Sequence, residues 1–251
     1  MTDRWRIAAN LATLANALLG LGAILYVLAG NKVWAMLLVA SAIGFDGLDG
    51  LFSRRSPSPS SPFGRVADSV ADGLTFGLAP AFLIAVHTSD IALWSPWETA
   101  MLAAAAGYVA AAVGRLVYFT VRGYQRPYFL GAPTPQAALA LIVALLFHDS
   151  PAFQTVQPLA IVVAVAVLGA LMVVPIPFPK IRREAPLRLT MAATGVAAVV
   201  ALLPLQFHPA VASALYSVSY AAALFLLVGV ASYFLVGPFT VDRHPPDVAG
   251  T

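Results

Sequence analysis

Long apolar runs separated by short polar stretches recur along almost the whole chain. Several approach the length of about 20 residues that an α-helix needs to cross the hydrocarbon core of a bilayer. They predict eight membrane helices, at roughly 8–30, 33–53, 66–88, 98–120, 134–148, 157–176, 189–205 and 210–236. We therefore expect an all-α fold, a polytopic helical bundle in a membrane.

The composition supports this fold class. Of the 251 residues, 60% are hydrophobic and 10% are charged, whereas soluble domains carry about 25% charged residues. A soluble globule is therefore excluded. The chain contains no cysteine, which also excludes disulfides, thiolate catalysis and cysteine metal ligands.

Basic residues are distributed unevenly over the polar segments between the predicted helices. With the amino terminus in the cytoplasm, Lys32 is the only one of the 14 lysines and arginines on the opposite side. This asymmetry predicts that both termini are cytoplasmic. Topology and attraction to anionic lipid then explain the net charge of +3, so we expect membrane lipid and no nucleic acid as a partner.

Four of the 11 acidic residues lie close together in the sequence, between positions 46 and 72. Asp46 and Asp49 lie three residues apart near the end of the second predicted helix. Asp68 and Asp72 lie four residues apart near the start of the third, so each pair shares a face of its helix. The segment from Ser56 to Pro62, S-P-S-P-S-S-P, connects them as an extended loop. We expect the two pairs at a similar depth, just inside the cytoplasmic surface.

Carboxylates this close to one another cannot all stay ionised without cations. Oxygen ligands of high charge suit hard divalent ions, Mg²⁺ above all, and paired ions suit phosphoryl transfer. Glycines around the cluster would let a ligand approach the backbone, and Arg54 and Arg65 could neutralise phosphate oxygens. On these residues alone two other interpretations stay open: structural pairing of aspartate with arginine, and the ion pathway of an ion-coupled transporter.

The spacing of these residues resembles the signature of the CDP-alcohol phosphotransferase family, D-x-x-D-G-x-x-A-R followed by G-x-x-x-D-x-x-x-D. Seven of its eight fixed positions match, and Ser53 stands where the family usually has alanine. The matching residues are Asp46, Asp49, Gly50, Arg54, Gly64, Asp68 and Asp72. The stretches 68–81 and 128–138 also resemble the bacterial branch whose acceptor is serine, although Thr120 stands where that branch has asparagine.

The resemblance implies a reaction and a cofactor. It implies transfer of a phosphatidyl group from CDP-diacylglycerol to a small alcohol, with L-serine favoured and glycerol phosphate, inositol or inositol phosphate as alternatives. Asp46, Asp49, Asp68 and Asp72 would bind two divalent ions, Mg²⁺ or Mn²⁺, and Asp72 would also act as general base. The family is commonly homodimeric, and the bacterial branch implies the cytoplasmic (inner) membrane, with the active site facing the cytoplasm.

Further residues receive roles from the same resemblance. Six are expected to contact the CDP moiety: Asn10, Thr13, Gly50, Ser53, Arg54 and Gly64. Arg115, Arg122 and Arg126 are candidates to bind the acceptor, with positive-inside anchoring as the alternative. Asn10, Thr13 and Asn16 follow one another at helical spacing, so hydrogen bonding between helices is the alternative for them.

The chain is expected to divide into two parts. Residues 1–183 would form the catalytic membrane domain, with the site at 46–72. Residues 184–251 would add further transmembrane helices and a short polar tail.

Overall fold

The computed structural model describes residues 3–57, 61–87, 96–122, 128–149, 158–179 and 209–241. Nearly all of them are helical. The helices are α1 Arg4–Leu28, α2 Lys32–Arg55, α3 Pro62–Asp72, α4 Ala79–His87, α5 Pro96–Arg122, α6 Thr134–Asp149, α7 Pro158–Val173 and α8 Pro209–Leu235. A π-helical segment, Gly73–Leu78, joins α3 to α4 without a break. The predicted helix at 189–205 lies outside the described residues.

Within the described ranges, five helices are long and apolar enough to cross a membrane. They are Arg4–Leu28, Lys32–Arg55, Pro62–Val86, Pro96–Val121 and Val218–Phe239, with shorter apolar helices at Thr134–Leu146 and Leu159–Val173. The described residues are thus compatible with the predicted fold class, a polytopic helical membrane protein. The count of eight crossings and the side on which the termini lie stay predictions.

Helix α1 has two faces of different side-chain size. Its buried face consists mainly of small residues: Ala9, Ala12, Asn16, Gly20, Ala23 and Val27. The opposite face carries exposed leucines at 11, 14, 18, 21 and 25. Small residues let helix backbones approach closely in a membrane, where burial of apolar surface gives little drive. As a result α1 packs against α2, α3 and the π-segment at once, while its leucines stay exposed.

The start of α1 is tied to the end of α2. The Asp3 carboxylate accepts a hydrogen bond of 3.0 Å from the Trp5 backbone N–H, so the helix begins at Arg4 rather than near residue 8. The Ser56 hydroxyl also donates to Asp3 and lowers the pKa of that carboxyl. The Trp5 ring lies beside the Arg55 guanidinium, 5.2 Å away. The amino end of α1 therefore adjoins the loop that leads to α3.

The helix that the sequence predicts over 66–88 is continuous as Pro62–Val86, but it contains the π-segment. Pro80 has no backbone N–H and cannot bond to the carbonyl of Phe76, four residues earlier. The Tyr108 hydroxyl on α5 donates to that carbonyl instead, at 2.9 Å. The observed helix begins earlier than predicted, at Pro62, because the Ser61 hydroxyl caps it by accepting from the Gly64 N–H.

A short antiparallel ribbon accompanies the helices. Strand β1, Tyr128–Leu130, pairs with β2, Pro177–Pro179. The sixth predicted helix, which was expected to reach residue 176, ends at Val173 because prolines follow it. Gly131 after β1 has φ of 77°, and a side chain there would lie 2.2 Å from the Met172 carbonyl oxygen. The ribbon therefore lies tightly against the end of α7.

Candidate active site

Carboxylates from α2 and α3 meet in the space between these two helices, both of which pack against α1. Asp46, Asp68 and Asp72 each offer an oxygen, and these oxygens lie within 4.8 Å of one another. Asp49 lies next to Asp68. The structure thus brings together all four of the aspartates that the sequence singled out.

Helix α1 supplies two polar contacts to this cluster. The Thr13 hydroxyl donates to Oδ2 of Asp49. The Asn16 Nδ2 donates to Oδ1 of Asp72 at 2.9 Å, and both of these side chains are buried. Sequence reasoning gave Thr13 a place in the site but gave Asn16 none. The available signal was position: Asn16 lies three residues after Thr13, on the same face of α1.

Glycines leave open space beside the aspartates. A side chain at Gly47 would meet no atom within 4 Å, and one at Gly50 would lie 3.1 Å from Nη1 of Arg54. Ser53 is half-buried one residue before Arg54, and Gly64 lies in the first turn of α3. Among the described side chains of α1, that of Asn10 is exposed. Open space at Gly47 thus lies one turn from the Arg54 guanidinium beside Gly50.

The donor set suits a hard divalent cation. Every candidate ligand is a carboxylate oxygen, as Mg²⁺ and Mn²⁺ prefer. Like charges at these separations repel one another strongly, and a bound cation would relieve that repulsion. Of the four, Asp72 is buried and the other three are half-buried, so such an ion would sit at the rim of the helix bundle.

Helix α5 borders α3 on another side. The hydroxyls of Ser69 and Thr120 lie 2.5 Å apart and link the two helices. Thr120, where the resemblance predicted asparagine, therefore contacts Ser69, the residue that follows Asp68.

Arg115 is the one predicted acceptor residue whose side chain the structure describes. It is buried, and its guanidinium lies 4.5 Å from the ring centroid of Phe119 and 5.7 Å from that of Phe129. It also lines a cavity of about 880 Å³ between α5 and α7, whose walls are otherwise mostly alanine, glycine and apolar side chains. Arg126 and the side chain of Arg122 lie outside the described part of the chain.

The sequence profile of the CDP-alcohol phosphatidyltransferase family matches residues 6–175. The chain therefore belongs to the CDP-alcohol phosphatidyltransferase family and is a phospholipid-synthesis enzyme. This membership decides against an ion-coupled transporter.

Three proteins of similar sequence share one name. The CDP-diacylglycerol–serine O-phosphatidyltransferase of Bacillus subtilis is 31% identical over 173 residues, which are 69% of this chain and 90% of that protein. The protein of the same name from Helicobacter pylori is 29% identical over 177 residues, 69% of this chain and 72% of its own. That of Methanocaldococcus jannaschii is 32% identical over 169 residues, 67% of this chain and 71% of its own.

Proposed function

We propose that this enzyme transfers the phosphatidyl group of CDP-diacylglycerol to L-serine and releases CMP, giving phosphatidylserine. The observation that carries the proposal is the convergence of Asp46, Asp68 and Asp72 from two helices onto one point. Relatives from two bacteria and an archaeon that are all named for the serine reaction support the choice of acceptor.

In this proposal the aspartates hold two divalent cations, Mg²⁺ or Mn²⁺. Bound there, such ions would neutralise the pyrophosphate oxygens of the lipid nucleotide and make CMP a better leaving group. The open space at Gly47 is the proposed position of the diphosphate, and Arg54, whose guanidinium lies beside Gly50, supplies a cationic donor. Asn10, Thr13, Ser53 and Gly64 complete the proposed contacts to CDP.

Asp72 is the proposed general base. It accepts the proton of the serine hydroxyl while the serine oxygen attacks the phosphorus that carries the lipid. The bond between that phosphorus and the CMP oxygen breaks, and CMP leaves with the electron pair. Asp72 suits this role because it lies farthest along α3 from the loop and is the most buried of the four aspartates.

The acceptor site needs a cation for the serine carboxylate. Arg115 is our first candidate, with Arg122 and Arg126 after it, because the planar guanidinium forms two parallel bonds to a carboxylate. The rings of Phe119 and Phe129 restrict the orientation of the Arg115 side chain. The apolar cavity that begins at Arg115 offers space between helices for hydrocarbon, as a lipid substrate requires.

An assay with alternative acceptors tests the proposal. Purified enzyme is supplied with CDP-diacylglycerol and, separately, with L-serine, glycerol phosphate, inositol and inositol phosphate. We expect CMP release with serine, and a raised KM for serine but not for CDP-diacylglycerol in Arg115→Lys, because lysine keeps the charge and loses the fork. Arg4→Lys, a change of the same kind at an exposed site, should leave both constants unchanged.

Two outcomes contradict different parts of this proposal. Lipid product from glycerol phosphate or an inositol, and none from serine, would overturn the acceptor. An unchanged KM for serine in Arg115→Lys would remove that residue from the acceptor site and leave the reaction intact.

We further propose that the site faces the cytoplasm from the cytoplasmic membrane of a bacterium. The arginines near the amino end of α1, the carboxyl end of α2 and the amino end of α3 support this orientation. A homodimer and a catalytic domain ending near residue 183 belong to the same proposal.

A further inference from the structure

Asn16 occupies an unusual place for an amide side chain in a membrane helix. Only 1% of its surface is exposed, and its Nδ2 donates to Asp72 at 2.9 Å. The bond engages one oxygen of the carboxylate and leaves the other available. Asn16 is thus in direct contact with the proposed general base.

The backbone at Asn16 is held from the side of the π-segment. The Thr75 hydroxyl, fully buried, donates to the Asn16 carbonyl at 2.9 Å. One turn further along α1, Gly20 lies so close to Thr75 that a side chain there would come within 2.2 Å of its hydroxyl. Thr75 follows Asp72 by three residues, so the same stretch of chain carries the base and fixes the helix that contacts it.

Packing alone does not account for an asparagine at this position. Among the described residues, Asn16 Oδ1 is a buried oxygen that has no hydrogen-bond partner. An unsatisfied buried amide oxygen costs stability, which leucine would avoid. The favourable interaction that offsets this cost is the Nδ2 bond to Asp72, a residue of the candidate active site.

We propose that Asn16 is a positioning residue that holds the Asp72 carboxylate in the orientation from which it accepts the proton of the acceptor hydroxyl. The inference rests on the proposed role of Asp72. Removal of the amide lets the carboxylate turn about its side-chain torsions, so the fraction of bound complexes that react falls. Binding of CDP-diacylglycerol changes little, because the other three aspartates and Arg54 keep their contacts.

The first test compares Asn16→Leu with the wild-type enzyme. Partners that orient a functional side chain contribute about 10- to 100-fold to activity, so kcat should fall by that factor while the KM for CDP-diacylglycerol stays close to wild type. Thr75→Val, which removes only the bond to the Asn16 carbonyl, should lower kcat by a smaller factor. Ser219→Ala, the loss of another buried hydroxyl on α8, is the matched control and should leave kcat unchanged.

A double-mutant cycle separates positioning from general damage. If Asn16 acts through Asp72, Asn16→Leu should have little further effect on kcat in the Asp72→Asn background. An equal fall of kcat in both backgrounds would overturn the proposal. Should Asn16→Leu fail to fold, the same cycle is run with Thr75→Val and read in the same way.

The outcomes also separate this inference from the proposed function. An inactive Asp72→Asn together with wild-type kcat in Asn16→Leu would refute the positioning role alone. Near-normal turnover in Asp72→Asn would refute the general base, and the role of Asn16 with it.

Discussion

Asp72 differs from the other three aspartates in its surroundings. It is buried, it receives a hydrogen bond from Asn16, and it directly precedes the π-segment. Asp46, Asp49 and Asp68 are only half-buried. Four residues of identical chemistry can therefore divide their roles by burial, with the half-buried ones toward the nucleotide and the buried one toward the acceptor.

This division predicts different consequences for two matched substitutions. Asp72→Asn keeps the shape of the side chain and removes the proton acceptor, so kcat should fall by about 10² or more. Binding of CDP-diacylglycerol, measured by calorimetry, should survive better in Asp72→Asn than in Asp46→Asn. Turnover close to wild type in Asp72→Asn would show that another group takes the proton.

The sequence predicts the positions of the helices better than the contacts between them. Apolar runs located α1, α2 and α5 to within a few residues, since length and flanking charge determine where such helices end. The aspartate pairs could be predicted because three- and four-residue spacings act within one helix. The contact of Asn16 with Asp72 could not be predicted. It depends on how α1 is rotated and shifted against α3, and no local sequence pattern determines that packing.

The sequence indicates the position of the π-segment but not its form. Pro80 within an apolar helical pattern indicates a local disruption. Its form, a wider turn stabilised by Tyr108 from α5, depends on a tertiary contact. The ribbon of β1 and β2 could not be predicted, because three-residue strands carry no periodic pattern.

The Tyr108 bond predicts a measurable contribution to stability. Tyr108→Phe leaves the buried Phe76 carbonyl without its partner, which should lower the free energy of unfolding by about 1–3 kcal/mol. Tyr26→Phe, at an exposed tyrosine of α1, is the control and should change it by less than about 0.5 kcal/mol. SDS titration in mixed micelles measures both. Equal stability of the two variants would mean that the π-segment does not depend on α5.

At the scale of the whole molecule, an active site that faces the cytoplasm requires one orientation in the membrane. The chain has no native cysteine, so single cysteines report topology directly. A cysteine at Ser58, in the loop between α2 and α3, should react with an impermeant maleimide in inverted vesicles and not in intact cells. A cysteine at Ser89, before α5, should show the reverse. Labelling of Ser58→Cys in intact cells would place the aspartates on the other side.

The central claim is that the aspartate site carries out cation-dependent phosphatidyl transfer. The most direct measurement follows radiolabelled CDP-diacylglycerol with purified enzyme and L-serine, first in excess EDTA and then after addition of Mg²⁺ or Mn²⁺. We predict no CMP release in EDTA, restoration by either ion, and no restoration in Asp46→Asn, because that variant lacks one of the clustered carboxylates. Full turnover in excess EDTA, or restored turnover in Asp46→Asn equal to the wild type, would contradict the account.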